Sequence, residues 1–267
     1  MFDAGEQVVA FGRTAEIYAY GDEFILKLFR SGMPETAILE EYQVSKIVFN
    51  SGITTPQPIK LIHYADRIGI VYQRIEGSTM LKSFTRKPWA ISKETSKMAA
   101  LHAAIHGKTV HDLPSQRERL IDRIQHAPLL TYEEKEKILT LLHQLREDTK
   151  LCHGDFHPDN IIVGQREWII DWMTGVAGNP AGDVARTLLL LQLGTMPERT
   201  PRIVVNLFSR VRKQMVKAYM KEYTRVTNLS DQEVNQWLVP VAAARLSEWI
   251  PEDEKQKLVE LIKRSII

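Results

Sequence analysis

Residues 151–160, LCHGDFHPDN, carry four side chains that could bind a metal ion or move a proton. His153, Asp155, His157 and Asp159 alternate, so in a β-strand all four would share one face and could form a metal cage. Pro158 argues against this, because proline within a run disfavours a strand. A polar turn without chemistry is the second alternative. The residues after the loop must therefore distinguish between these alternatives.

The spacing downstream favours a third interpretation, phosphoryl transfer. Asn160 follows Asp155 by five positions, and Asp171 closes the apolar run Trp168–Ile170 eleven residues later. His-x-Asp-x-x-x-x-Asn, a hairpin, an apolar strand and an Asp form the pattern of a kinase catalytic loop and its metal-binding Asp. Phosphoryl transfer needs positioning and charge neutralisation more than covalent help. Asp155 would then accept or orient the acceptor hydroxyl's proton, while Asn160 and Asp171 offer the hard oxygen ligands that Mg²⁺ prefers.

The motif HGDFHPDN followed by IIDW resembles the aminoglycoside phosphotransferase and choline kinase family, relatives of the protein kinases. The resemblance runs through nearly the whole chain, as far as GNPAGDVAR at 178–186. It implies a protein kinase-like fold, ATP or GTP with Mg²⁺ as cofactors, and a hydroxyl of a small molecule as acceptor. It also implies that Asp183 braces the catalytic loop, while capping of the helix that it opens is the alternative and compatible role. By the same resemblance, His153 organises the loop rather than acting as a base.

Such a site also needs a lysine on a strand and a glutamate on the following helix. Lys27 is the only charge in the apolar run Phe24–Phe29, and we expect it to meet the α- and β-phosphates. Snorkelling to solvent is the alternative. Glu41 falls within the apolar arc of the predicted helix, whereas Glu40 faces outward. A carboxylate on the buried face needs a partner, so a Lys27–Glu41 pair is favoured over a bond from Glu41 to a backbone group or an arginine.

Two further segments are assigned to the nucleotide. Gly12, Arg13 and Thr14 would form a reduced phosphate-binding turn, using backbone N–H groups and the Thr14 hydroxyl. By the same resemblance, Gln73 and Ile75 lie in the segment joining the two lobes, where adenine would bond their backbone groups. A buried strand with an exposed end is the alternative for these last two residues.

Strand and helix signals predict an α+β, bilobal protein kinase-like fold. Residues 1–77 read as a small antiparallel β-sheet lobe with one helix from about Pro34 to Asn50, which would bind the nucleotide. Residues 78–267 read as a larger, mostly helical lobe for catalysis and substrate binding. Two capping boxes, Thr131 with Glu134 and Ser230 with Glu233, predict helix starts in this second lobe.

Composition excludes several classes of protein. A net charge of +2 over 267 residues does not suggest a nucleic-acid or membrane-surface binder, and the single cysteine cannot form an internal disulfide. The amino terminus lacks a secretory signal and no apolar run would cross a bilayer, so we expect a cytoplasmic protein. The oligomeric state is not indicated by any pattern in the chain.

Charge also bears on the acceptor. Residues 1–77 have a net charge of −3 and the remainder +5, which leans mildly against a polycationic aminoglycoside. The acidic stretch of Glu248 and residues 252–254 could line a pocket, but a helix start facing water is favoured.

The residues after Asp171 separate the remaining alternatives. Trp172-Met173 replaces the Phe-Gly of protein kinases, which favours a small-molecule kinase over an atypical protein Ser/Thr kinase. A nucleotide-binding pseudokinase is not favoured, because every key position is filled.

Overall fold

In the computed structural model, the described residues are 8–12, 14–193 and 202–266, without the side chains of Thr85 and residues 202–209. The β-strands among them are β1 Val8–Phe11, β2 Ala15–Tyr20, β3 Phe24–Phe29, β4 Pro58–Tyr64, β5 Arg67–Gln73, β6 Ser78–Thr79, β7 Lys150–Cys152, β8 Ile161–Val163, β9 Glu167–Ile169 and β10 Val176–Gly178. The α-helices are α1 Glu35–Asn50, α2 Met80–Arg86, α3 Ile91–His106, α4 Gln116–Gln125, α5 Tyr132–Gln144, α6 Pro180–Leu193, α7 Arg202–Thr227, α8 Asp231–Arg245 and α9 Glu252–Ile266. Short 3₁₀ turns cover Pro88–Ala90 and Pro158–Asn160.

The described residues fold as two compact units. The first takes the chain up to Lys82 together with Asp159–Thr174, and the second takes Ser83–Pro158 and the chain from Gly175 onward. The segment 159–174 therefore belongs with the strand-rich unit, although it follows much of the helical one in sequence. A domain boundary near residue 77 stays a prediction.

The first unit contains a five-stranded antiparallel sheet in the order β1-β2-β3-β5-β4. Side chains alternate along β3, so Leu26 and Leu28 pack on one face while Lys27 and Phe29 point to the other. Phe29 joins Ile38 of α1 in a core cluster on that second face. Lys27 is thus directed to the side of the sheet that carries α1.

A second sheet in this unit positions the segment after the catalytic-loop motif. Strands β8 and β9 form a hairpin in which Ile161 pairs with Ile169, and β6 pairs with β8. Gly77 adopts φ +149, and a Cβ there would meet the Val163 carbonyl oxygen at 2.5 Å. The backbone next to the hairpin is therefore packed too closely for a side chain.

The second unit is mainly helical, with a short antiparallel pair of strands, β7 and β10. Helix α3 packs on α7 and α6 packs on α8. Both predicted capping boxes are present, at Thr131 for α5 and at Ser230 for α8. The predicted fold class is confirmed: an antiparallel sheet of five strands with one helix precedes a larger helical part. No helix in the described ranges is long and apolar enough to span a membrane.

Candidate active site

The first unit brings Lys27 and Glu41 into contact, with the Lys27 Nζ atom 2.6 Å from Oε1 of Glu41. Glu41 lies on the buried face of α1 and is only 1% exposed. The Tyr72 hydroxyl donates to the same Oε1 at 3.3 Å and lies 3.0 Å from the Ser45 hydroxyl. Of the two candidate glutamates, Glu40 is only partly buried, so helical phase correctly selected Glu41 as the buried one.

Asp171 is the second carboxylate on Lys27, with Oδ1 2.9 Å from Nζ. Burial alone would lower the pKa of Lys27, but the charges of Asp171 and Glu41 outweigh it and raise the pKa above its ordinary value. The ammonium group therefore stays charged across the physiological pH range. A charged lysine between two carboxylates can meet a phosphate and still be held in place.

The β8–β9 hairpin brings positions 160 and 171 to one end of its ladder. The Ile170 amide donates to the Asn160 carbonyl at 3.0 Å, one residue before Asp171. Asp171 adopts φ +65, a left-handed conformation that aspartate tolerates better than most residues. Its side chain is 46% exposed, whereas Asn160 is buried. An amide oxygen and a carboxylate at neighbouring backbone positions suit a hard divalent cation.

The remaining nucleotide-binding predictions fall on two backbone segments of the same unit. The Gly12 amide donates to the Ala15 carbonyl at 2.8 Å, so Gly12 shapes the turn between β1 and β2. Thr14 is partly exposed in that turn, and Arg13 lies outside the described residues. The Gln73 amide donates to the Gln57 carbonyl at 2.9 Å, and Ile75 follows β5 in irregular backbone. Base binding at 73 and 75 stays a prediction.

In the second unit, Asp183 binds the backbone of the loop that carries Asp155. Its Oδ2 accepts from the His153 amide at 2.5 Å and its Oδ1 accepts from the Gly154 amide at 2.9 Å. The His153 ring accepts from the Asp155 amide through Nδ1 at 3.3 Å. Asp183 and His153 thus fix the backbone conformation at positions 153–155.

Two histidines on α3 complete the surroundings of Asp183. Nε2 of His102 and of His106 lie 3.0 and 3.2 Å from Asp183 Oδ2, so each ring donates to the carboxylate. Their Nδ1 atoms lie 2.5 Å from the hydroxyls of Tyr219 and Tyr223 respectively. Burial lowers the pKa of His102 to about 3, so this ring is neutral. Burial opposes ionisation of Asp183, but the histidines outweigh it and hold its pKa well below the ordinary value.

These residues also bear on the metal-cage alternative. His102, His106 and Asp183 form the one group of three potential ligands found among the described residues, and all three are buried. Their hydrogen bonds are complete without an ion, which fits a brace better than a metal site. Residues 153–157 form no strand, so the alternating side chains of the loop do not share a strand face.

Asp155 is held by two cationic or potentially cationic neighbours. Arg186 donates from Nη2 to Oδ1 at 3.1 Å, and His157 Nε2 lies 3.4 Å from Oδ2. Burial would raise the pKa of Asp155, but His157 and Arg186 outweigh it and keep the pKa well below its ordinary value. Asp155 is therefore an ionised carboxylate of low basicity. It is better suited to orienting a hydroxyl group than to accepting the proton of that hydroxyl.

Glu248 departs from the expectation that the acidic stretch near the carboxyl terminus faces water. Arg186 donates to Glu248 from both terminal nitrogens, from Nη1 to Oε1 at 2.6 Å and from Nη2 to Oε2 at 3.2 Å. Arg123 and Arg245 bind it as well, at 2.9 and 2.8 Å. Glu254 is also buried, against Arg245, whereas residues 252 and 253 are exposed at the start of α9 as expected. The prediction was wrong for Glu248 and Glu254 because helical phase and tertiary packing, not sequence position, decide exposure.

Sequence reasoning missed several residues near Asp155 and Asp183. All of them lie outside the loop motif, five on helices and Glu248 in the bend between α8 and α9: His102, His106, Arg186, Tyr219, Tyr223 and Glu248. One signal was present for two of them, since His102 and His106 are four apart on a helix and so lie on one face. Arg186 stands three residues after Asp183, which places both on one side of α6.

Comparisons with known proteins identify a family and a fold. Residues 7–229 match the family described as the phosphotransferase enzyme family, APH. No curated protein matches the sequence. An aminoglycoside-3'-phosphotransferase of type VIII is 17% identical, with a TM-score of 0.60 over 89% of this chain and 91% of its own. A thermostable mutant of aminoglycoside phosphotransferase APH(4)-Ia, solved with ADP and hygromycin B, is 10% identical, with a TM-score of 0.67 over 98% and 93%.

A third structure, APH(2")-IIia with GDP and kanamycin, is 16% identical and has a TM-score of 0.60 over 99% of this chain and 93% of its own. At these identities the structural matches establish the fold. The family match covers far more than half of the residues. The chain therefore belongs to the phosphotransferase enzyme family.

Proposed function

We propose that this protein transfers the γ-phosphoryl group of ATP or GTP to a hydroxyl group of a small molecule, with Mg²⁺. The observation that carries the proposal is the charged lysine held between two carboxylates, with Lys27 Nζ 2.6 Å from Glu41 and 2.9 Å from Asp171. The family match supports the reaction class. Relatives of the same fold were solved with ADP or GDP, which supports a nucleotide as donor.

The chain's own residues have distinct roles in this proposal. Lys27 binds the α- and β-phosphates, and Glu41 keeps its ammonium group oriented. Gly12, Arg13 and Thr14 line the phosphates, while backbone groups of Gln73 and Ile75 bind the base. Asn160 and Asp171 hold Mg²⁺, which would neutralise charge on the phosphates when bound.

Asp155 acts on the acceptor, and it shares the segment 151–160 with Asn160. The acceptor hydroxyl oxygen forms a bond to the γ-phosphorus, and the bond from that phosphorus to the bridging oxygen breaks. The nucleoside diphosphate leaves with the electron pair. Asp155 orients the hydroxyl, and the proton passes to Asp155 and then to solvent. Because Arg186 and His157 keep this carboxylate weakly basic, orientation is its larger contribution.

We place the acceptor in the second unit, near Asp155. Asp155 and Glu248 are both paired with Arg186, and Glu248 is paired with Arg123 as well. A polycationic aminoglycoside would meet those arginines as like charges. We therefore place neutral or weakly charged alcohols ahead of aminoglycosides as candidates.

The test is nucleotide consumption against a panel of small alcohols, sugars, choline and aminoglycosides, with ATP or GTP and with Mg²⁺ or EDTA. We expect turnover that needs Mg²⁺ and one class of acceptor. Asp155→Ala should keep nucleotide affinity within about threefold and lower kcat by roughly 10²–10⁴. Equal nucleotide binding by both proteins with no turnover by either would instead identify a pseudokinase. Phosphate incorporation only into a generic Ser/Thr substrate would identify a protein kinase.

A further inference from the structure

Helix α6 contacts four consecutive positions of the loop around Asp155, residues 153–156. Asp183 accepts from the amides of residues 153 and 154, and the Thr187 hydroxyl donates to the Phe156 carbonyl at 3.0 Å. Between these two backbone contacts, Arg186 reaches the side chain of Asp155 itself. Residues 183, 186 and 187 are spaced i, i+3 and i+4, so they lie on one side of the helix. The backbone is thus fixed by Asp183 and Thr187, whereas the carboxylate is fixed by Arg186.

Arg186 is itself held in place by a second carboxylate. Its two terminal nitrogens bind both oxygens of Glu248, a bidentate geometry that fixes the plane of the guanidinium group. Arg123 of α4 and Arg245 of α8 bind the same glutamate, so Glu248 is anchored from two further helices. The Arg186 side chain is 11% exposed. A buried, doubly held guanidinium group has few alternative conformations in which to release Asp155.

We propose that Arg186 is a positioning residue that sets the orientation of the Asp155 carboxylate, and that Glu248 acts through Arg186. The proposal rests on the phosphotransferase function above. Arg186 engages Oδ1 of Asp155, so it decides which way the carboxylate plane faces the acceptor hydroxyl. Misorientation of a catalytic group by a fraction of an ångström is costly, because the reacting atoms must be aligned. Arg186 thus changes the rate of transfer and not the binding of the nucleotide.

The experiment compares Arg186→Met, Arg186→Lys, Glu248→Gln and the double variant with the wild type. Hydrolysis of MgATP with water as acceptor and transfer to the best alcohol of the panel are both measured, and urea unfolding checks the folded fraction. We expect Arg186→Met to lower kcat by about 30-fold or more while the KM for MgATP stays within about threefold. Arg186→Lys restores the charge without the planar fork, so its kcat should lie between the two.

The double variant tests the route from Glu248. If Glu248 acts only through Arg186, Glu248→Gln should lower kcat several-fold in the wild type and change nothing further in Arg186→Met. Effects that multiply in the double variant would overturn this part of the proposal. Arg225→Met is the control, since it removes an exposed arginine whose ion pair is with Glu222 on the same helix. Its kcat should stay within about threefold of the wild type.

A purely structural role for Arg186 predicts a different result. It would lower the urea midpoint and leave the kcat of the folded fraction unchanged, and that outcome overturns the proposal. If Arg186→Met does not fold, Arg186→Lys and Glu248→Gln decide by the same criterion. Arg186→Ala supplemented with millimolar guanidinium ion should regain part of the lost kcat. If the wild type does not turn over ATP or GTP, both the phosphotransferase function and this proposal are overturned. If the wild type is active and Arg186→Met is equally active, only this proposal is overturned.

Discussion

Lys27 Nζ lies 2.9 Å from Oδ1 of Asp171, so the carboxylate assigned to Mg²⁺ already carries a cationic partner. The same ammonium group lies 2.6 Å from Glu41, which is almost fully buried. Metal binding at Asp171 would therefore share or replace one of the two contacts of Lys27. The buried pair with Glu41 would then remain and would keep the ammonium group in place.

Asp171→Asn is expected to remove Mg²⁺-dependent nucleotide binding while leaving the fold intact. Asparagine tolerates the left-handed backbone conformation at this position, so the substitution changes the charge without adding strain. Nucleotide affinity with Mg²⁺ should fall by about tenfold or more, and kcat by roughly 10²–10³. Calorimetric titration of nucleotide with and without Mg²⁺ measures the first effect.

The contrary outcome is an Asp171→Asn protein whose affinity still rises with Mg²⁺ as in the wild type. A metal ligand elsewhere would then be required. Asp66→Asn serves as the control, because it changes another exposed aspartate of the same unit.

Lys27→Met should affect both stability and activity, because it leaves the Glu41 carboxylate buried without its cation. Breaking a buried pair in this way costs about 3–5 kcal/mol. Removing the second charge in Lys27→Met/Glu41→Gln should recover much of that loss. Urea unfolding of the two single variants and the double variant gives the coupling energy.

Lys60→Met is the control for Lys27, since this exposed lysine lies on the neighbouring part of the same sheet. We expect its free energy of unfolding to change by less than about 0.5 kcal/mol. Additive single effects in the Lys27 and Glu41 cycle would show that the two side chains do not stabilise one another.

Acid should destabilise the protein in a window set by His102. Its pKa is about 3 in the folded protein, below the ordinary value of 6.5, so the unfolded chain binds a proton that the folded protein does not. The free energy of unfolding therefore falls as pH falls from about 6.5 towards 3, by up to about 1.4 kcal/mol per pH unit from this group. Urea unfolding at several pH values between 4.5 and 7 measures the slope.

His102→Gln should flatten this dependence between pH 4.5 and 6, whatever it does to stability at pH 7. His126→Gln, a change at an exposed histidine, should leave the slope as in the wild type. A slope that survives in His102→Gln would assign the acid sensitivity to other groups. Below about pH 4 the depressed pKa of Asp183 adds a loss of the same sign, because its folded form resists protonation.

Asp183→Asn and Asp155→Asn should have different effects on stability and on kcat. Asp183 accepts from the amides of His153 and Gly154 and from two histidine rings, so an amide there would face donors with a donor of its own. We expect a loss of about 3 kcal/mol or more in stability together with a lower kcat. Asp155→Asn should lower kcat while the urea midpoint stays near that of the wild type. Equal stability of the two variants would contradict the role of Asp183 as a brace.

Local patterns in the sequence were sufficient for much of the candidate site. The alternation of β3 directed Lys27 towards α1, and the helical phase of α1 selected Glu41 over Glu40. The capping boxes fixed the starts of α5 and α8 because they depend only on residues three apart. Each of these features is determined within one element or between neighbours in the chain.

Contacts between distant elements were not predictable in this way. The acidic stretch was expected to face water, yet Glu248 lies among three arginines from α4, α6 and α8. The spacing of Arg186 from Asp183 places both on one side of α6 but does not identify the partners of Arg186. Its contacts depend on how α6 packs against the loop and on where the chain after α8 turns back.

The sequence by itself determined the residue types of the loop, the hairpin and the buried lysine, and the family to which their spacing points. Tertiary structure alone decided which arginine holds Asp155 and which glutamate holds that arginine. It also decided which histidines and tyrosines surround Asp183. The physical reason is the sequence range over which each kind of interaction acts. Strand alternation, helical phase and capping act over a few residues, whereas a buried charge is compensated by whatever group the packed fold brings to it.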